Sequence, residues 1–182
     1  MNLPNKITLL RVILIPAFLV VYLLNPMPDL INKWFALVLF VTAAITDAVD
    51  GYLARKLGQV TNIGKLMDPL ADKMLVCGAL VAFVYTGVVP VWAVIIMISR
   101  EFYVSGLRML ALEQNVVLAA DISGKVKMGV QLTLIIYILV PPPVDILVIP
   151  QIIFVLVIVA TVVSIYSAVD YTRKNMGVFG KE

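Results

Sequence analysis

The chain has 182 residues, of which 62% are hydrophobic and 14% charged, and a formal net charge of +3. Soluble domains are roughly half apolar and about a quarter charged, so this balance excludes a water-soluble core and indicates a polytopic membrane protein. There is no His and a single Cys, Cys77, which excludes His/Cys zinc sites, Ser-His and Cys-His nucleophile pairs and intrachain disulfides. Any bound metal must take oxygen ligands, which suits Mg²⁺, Mn²⁺ or Ca²⁺.

Hydropathy divides the chain into six apolar segments, at about residues 8–25, 34–54, 66–86, 89–109, 126–141 and 146–169. Open sheet edges and irregular backbone cannot satisfy their polar groups in lipid, so each segment is expected to be a helix. The expected fold is all-α, a single transmembrane domain over residues 1–182 with six spans. The breaks "NPMPD", "TGVVP" and "PPPVD" combine Pro with Gly, Asn or Asp, which end helices and turn the chain.

The first segment contains Pro16 and lacks a small-residue cleavage site, so it reads as a span and not as a cleaved signal peptide. Arg11 lies in it, placed either to reach the headgroup region or to snorkel to the interface. With the N-terminus inside, the outer loops are about 26–33, 86–90 and 141–146 and carry only Lys33, Asp29 and Asp145. The remaining Lys and Arg residues fall on the inner side, so both termini are expected in the cytoplasm.

The second and third segments carry "DAVDGYLARKLGQVTNIGKLMDPLADK" at their inner ends. Asp47 and Asp50 are spaced i, i+3, and Asp68 and Asp72 i, i+4, so each pair shares a helix face. A short connection makes the two helices antiparallel neighbours, and four carboxylates then converge at the cytoplasmic boundary. Uncompensated, they would repel; either some of them are protonated or divalent cations bind, and the all-oxygen set favours two metal ions. Pairing of helix-end acids with Arg55, Lys56, Lys65 and Lys73 is the plainer alternative. The surroundings suit a phosphate. Gly51 permits close approach, Ala54 keeps the pocket mouth open, and Arg55 offers a donor fork. Thr61 and Asn62 add polar groups at the loop, and Gly64 is expected just before the third helix, where backbone amides face an anion.

The fourth segment ends in "SREFYVSGLR" and the fifth begins with "SGKVKMG". Arg100 and Arg108 lie on nearly one helix face, Lys125 and Lys127 come from the next helix, and Glu101 is placed to orient an arginine. Cations near an acidic metal site suggest a second anion, such as a phosphorylated acceptor; a positive-inside flank is the plainer reading. Cys77 reads as small filler. Gly78, Gly87, Gly106 and Gly129 are candidates for close helix packing or for turns. The tail "YTRKNMGVFGKE" reads as a solvated or membrane-surface end.

Asp47-x2-Asp50-Gly51-x2-Ala54-Arg55-x8-Gly64-x3-Asp68-x3-Asp72 resembles the signature of the CDP-alcohol phosphotransferase family, with all eight fixed positions present. The resemblance covers the whole chain, since that family has six transmembrane helices with the signature across the second and third. It implies joining an alcohol to the phosphate of a CDP-linked lipid with release of CMP. It implies that Asp47, Asp50, Asp68 and Asp72 hold two Mg²⁺ or Mn²⁺ ions and that Asp72 is also the base. It implies that Gly51, Arg55, Thr61 and the stretch from Asn5 to Thr8 contact the CDP part. The opening "NLPNKITLLRVILIP" and "SREFYVSGLR" resemble the branch whose donor is CDP-diacylglycerol and whose acceptor is glycerol 3-phosphate. Arg100, Arg108, Lys125 and Lys127 would then meet the acceptor phosphate, although Met128 stands where that branch more often has Thr. The family further implies a homodimer in the cell membrane, with the site at the cytoplasmic face and no nucleic-acid partner. Serine, inositol phosphate or phosphatidylglycerol as acceptor is the rival within the family. A divalent-cation transporter is the rival outside it, disfavoured because the acids gather at one face.

Overall fold

The computed structural model of the chain contains six helices: α1 (Leu3–Leu24), α2 (Asp29–Leu57), α3 (Asn62–Tyr85), α4 (Val91–Glu113), α5 (Ile122–Leu139) and α6 (Pro150–Phe179). The structure describes the backbone of residues 3–25, 27–57, 62–113, 116, 118, 121–140 and 149–179. It describes their side chains except at 3–9, 47–57, 62–72 and 177–179. Among the described residues there is no strand. Three helical stretches among them are long and apolar enough to cross a membrane: Asp29–Thr46, Ile122–Leu139 and Pro150–Met176. Leu10–Leu24 and Lys73–Tyr85 are shorter apolar helices. The chain divides into two compact units, one of residues 1–86 with 139–148, the other of 87–138 with 149–182.

In the first unit, α1 packs on both α2 and α3, and α2 touches α3. The seam is aromatic. Phe18 and Phe40 are fully buried with ring centres 5.6 Å apart. Tyr22 stacks on Phe18 at 6.0 Å and meets the edge of Phe83 at 5.3 Å. Large flat side chains give dense contact at low rotamer cost, which matters where lipid removes much of the hydrophobic drive. Pairing of residue 18 with 40 and of 21 with 32 runs α1 and α2 antiparallel; the Asn32 amide donates to the Val21 carbonyl at 2.8 Å. Leu19 meets Gly78, and Tyr22 meets Phe83 and bonds the Thr86 hydroxyl at 3.1 Å, so α1 and α3 run parallel. Gly78 lets α3 sit on Leu19, whose side chain would lie 3.5 Å from an added Cβ. Cys77 is half-buried in the same helix, as expected of filler. Asn25, at φ 45°, ends α1 in the left-handed conformation that suits Asn, and its amide donates to Asp29 at the start of α2.

In the second unit, α4 packs along α6. Residues 100, 103 and 108 meet 167, 172 and 171, so these two helices run parallel. Gly87, at φ 72°, makes the turn before α4, whereas a Cβ added at Gly106 or Gly129 would meet nothing within 4 Å among the described residues. Pro150 opens α6, a position where its missing N–H costs nothing. The α6 surface is oily outside and polar inside. Val155, Val162 and Ile165 are exposed, while Thr161, Ser164 and Ser167 are buried. The Thr161 and Ser164 hydroxyls return to carbonyls one turn back, at 2.8 and 2.7 Å.

Several boundaries differ from the sequence reading. The stretch from Asn5 to Thr8 lies within α1 instead of preceding it, and Gly64 lies in the first turn of α3 instead of before it. The helix α2 continues past the expected end at about residue 54 to include Arg55 and Lys56. The tail from Tyr171 continues α6 as far as Phe179. Each extension is amphipathic or polar, and hydropathy marks only the lipid-crossing core of a longer helix. Arg11 is fully buried, so it does not snorkel. Asp145 lies outside the described residues.

Candidate active site

The signature lies on helical backbone. Asp47, Asp50, Gly51, Ala54 and Arg55 are in α2, and Gly64, Asp68 and Asp72 in α3. The spacings i, i+3 and i, i+4 therefore act as helical spacings, and α2 and α3 are in contact. Thr61 lies outside the described residues, as do the side chains of Asn5, Thr8, Asp47, Asp50, Gly51, Ala54, Arg55, Gly64, Asp68 and Asp72. The donor chemistry fits hard divalent cations, with four carboxylates and no nitrogen or sulfur ligand among them.

The cationic segments are described in full. Arg100 is 9% exposed within α4. Its Nη1 donates to Glu101 Oε1 at 3.2 Å and its Nη2 to the buried Ser167 hydroxyl at 2.5 Å. Its Nε is buried with no acceptor among the described residues. Gly124, at the start of α5, lies beside the same guanidinium, since a Cβ there would sit 3.6 Å from Nη2. Lys127 is buried in α5 and donates to Glu101 Oε1. Glu101 thus anchors Arg100 and Lys127 together, which enlarges the orienting role expected for it.

Arg108 is arranged differently. It is exposed; its Nε donates to the Tyr171 hydroxyl at 3.2 Å, and its guanidinium carbon lies 5.5 Å from the centre of that ring. Its two terminal nitrogens have no hydrogen-bond partner among the described residues. Lys125 is exposed, one turn into α5. Asp121 caps that helix, accepting the Ile122 N–H and the Ser123 hydroxyl, each at 2.8 Å. Lys174 of α6 bonds both Asp121 and Asp170 at 2.8 Å. The Lys174 ammonium, then the Ser123 hydroxyl, hold the Asp121 carboxyl well below the usual range.

Sequence reasoning missed Ser167, Tyr171 and Asp121. The available signal was periodic. Ser164, Ser167, Tyr171 and Lys174 repeat every three or four residues along one face of α6. A polar stripe in an apolar span marks a helix face turned toward protein.

Comparison with known proteins identifies the class. The sequence model of the CDP-alcohol phosphatidyltransferase family matches residues 1–166, and the chain belongs to that family. It is a phosphatidyltransferase by membership, which replaces the transporter reading. Among individual relatives, it is 45% identical to a Bacillus subtilis protein named CDP-diacylglycerol–glycerol-3-phosphate 3-phosphatidyltransferase, over 72% of each chain. A Mycobacterium tuberculosis protein named probable phosphatidylglycerophosphate synthase is 37% identical over 71% of this chain and 62% of its own. A Rickettsia felis protein with the same name as the Bacillus one is 42% identical over 59% of this chain and 58% of its own. The match thus spans less than two thirds of the Mycobacterium and Rickettsia relatives.

Proposed function

We propose that this chain transfers the phosphatidyl group of CDP-diacylglycerol to glycerol 3-phosphate, giving phosphatidylglycerophosphate and CMP. The observation that carries the proposal is the complete eight-position signature on α2 and α3. It lies inside the family match, beside relatives named for this reaction. On this reading the protein is one domain with six spans, both termini cytoplasmic, and its site at the inner face of the cell membrane. The lipid donor stays in the bilayer while the water-soluble acceptor arrives from the cytoplasm. Antiparallel α1 and α2, parallel α1 and α3, and parallel α4 and α6 support an up-and-down path of spans. A homodimer completes the proposal, by family likeness.

Asp47, Asp50, Asp68 and Asp72 would hold two Mg²⁺ or Mn²⁺ ions, which when bound neutralise charge on the diphosphate oxygens. Asp72 also takes the proton of the acceptor hydroxyl; with no His in the chain a carboxylate base is the economical choice. The acceptor oxygen bonds to the phosphatidyl phosphorus as the diphosphate bridge breaks and CMP leaves. Arg55 stabilises the departing phosphate, Gly51 and Ala54 leave room for the nucleotide, and Asn5, Thr8, Thr61 and Gly64 line its pocket. Arg100, Arg108, Lys125 and Lys127 attract the phosphate of the acceptor.

The test is CMP release by purified protein in detergent with CDP-diacylglycerol, Mg²⁺ or Mn²⁺, and glycerol 3-phosphate. Release that needs both acceptor and metal supports the proposal. Release with inositol phosphate, serine or phosphatidylglycerol in place of glycerol 3-phosphate keeps the family and overturns the acceptor. Silence with every acceptor, in folded protein, overturns the reaction.

A further inference from the structure

Four cations stand in the α4 and α5 segments, and their surroundings divide them. Arg100 has both terminal nitrogens engaged, by Glu101 and Ser167, and Lys127 is tied to Glu101. Arg108 instead spends only its inner nitrogen, on Tyr171, and lies along that ring. A guanidinium gripped at Nε keeps its outer Nη1/Nη2 edge for a bidentate contact with phosphate oxygens. Both grips come from α6. Ser167 and Tyr171 are one turn apart, fully or almost fully buried, and meet two arginines on the facing helix. Neither belongs to the signature. A long arginine side chain loses much rotamer freedom when it binds, so a fixed attitude beforehand favours binding.

We propose that Ser167 and Tyr171 of α6 are positioning residues that set Arg100 and Arg108 for the anionic end of the acceptor. The inference rests on the acceptor role given to these arginines under the proposed function. Tyr171 fixes the tilt of Arg108 through its hydroxyl and ring, so that Arg108 presents the open edge, and Ser167 holds Arg100 in place through Nη2.

The experiment measures initial rates of CMP release by the purified full chain with CDP-diacylglycerol, Mg²⁺ and glycerol 3-phosphate. The variants are Tyr171→Phe, Arg108→Ala, their double, Ser167→Ala and Ser167→Thr. Tyr171→Phe keeps the ring and removes only the hydrogen-bond acceptor. It is expected to raise KM for glycerol 3-phosphate about fivefold to tenfold, with KM for CDP-diacylglycerol changed by less than about twofold. The double variant is expected to match Arg108→Ala alone, because the hydroxyl acts through the arginine. Ser167→Ala is expected to raise the same KM, and Ser167→Thr, which restores a hydroxyl, to recover most of it.

If Arg108→Ala raises the acceptor KM while Tyr171→Phe leaves it unchanged, shifts both KM values equally, or adds fully to Arg108→Ala, the inference falls and the proposed function stands. If Arg108→Ala itself spares the acceptor KM, the inference falls together with the acceptor role of Arg108. No CMP release by the unsubstituted protein overturns the proposed function and the inference with it.

Discussion

The two units are held together by opposite chemistry. In the first, α1, α2 and α3 meet through Phe18, Tyr22, Phe40 and Phe83, with the Tyr22–Thr86 hydroxyl pair near the helix ends. In the second, α4 and α6 meet through Arg100 and Ser167, Tyr103 and Thr172, Arg108 and Tyr171. Aromatic contact is dense and tolerant of small shifts, and its own side chains carry no reactive group. Hydrogen bonds between charged and hydroxyl groups are directional, and they orient the groups that make them. The aromatic seam therefore holds in place the helices that carry the signature, α2 and α3, whereas the polar seam orients charged groups directly. A membrane helix needs no arginine to pack, so each one inside the protein has a cost that a function must justify.

The comparison can be broken by experiment. The largest effect expected is chemical. Asp72→Asn should reduce turnover by about 10³-fold or more while leaving the melting temperature in detergent nearly unchanged. Near-normal activity in a metal-replete Asp72→Asn protein would remove the base from α3. Next is the aromatic seam. Phe18→Ala should cost about 3–5 kcal/mol of stability, with KM values unchanged in whatever protein remains folded. A changed acceptor KM in that variant would show that the first seam also places reactive groups.

Glu101→Gln tests the second seam from within. It strips the shared carboxylate charge from Arg100 and Lys127, and should cost about 3 kcal/mol while also raising the acceptor KM. A loss of stability with no kinetic change would make that polar cluster scaffold as well. The smallest effect belongs to Lys174→Ala, which removes a link near the surface and should shift melting only slightly, less so at high salt. Its pH dependence has a definite sign. Asp121 is held below its ordinary value, so its share of stability is complete above about pH 4 and is lost only as pH falls toward the lower folded value. Melting measured for both proteins should therefore differ by the same amount from about pH 8 to 5 and converge only in stronger acid. Convergence already near neutral pH would contradict the Asp121 pairing.

Much of this was legible in the sequence. Six apolar segments became six helices, because hydropathy and Pro-containing breaks report on chain that must satisfy its own backbone. The aspartate spacings sit on helical backbone as expected, and Glu101 does orient Arg100. What hydropathy could not show is where a helix continues beyond lipid. "YTRKNMGVFGKE" looks like a tail by composition, yet Lys174 pairs with Asp170 one turn back and the Asn175 amide donates to the Tyr171 carbonyl, so α6 persists. For Arg11 the sequence left two readings open, a reach to the headgroup region or snorkelling to the interface, and its full burial removes the second. The periodic stripe that carries Ser167 and Tyr171 was readable but easily passed over, because serine and tyrosine are common in membrane helices. Only the facing helix gives them meaning.

The length of α6 bears on how this protein could be trimmed or fused. A chain cut just after residue 166 would retain every signature residue and the whole stretch that matches the family. It would lose the Ser167 and Tyr171 grips on α4 and the Lys174 tie to the α5 cap. The final turns of α6 are therefore a poor place for a cleavage junction or a rigid fusion partner, although they look like dispensable polar tail.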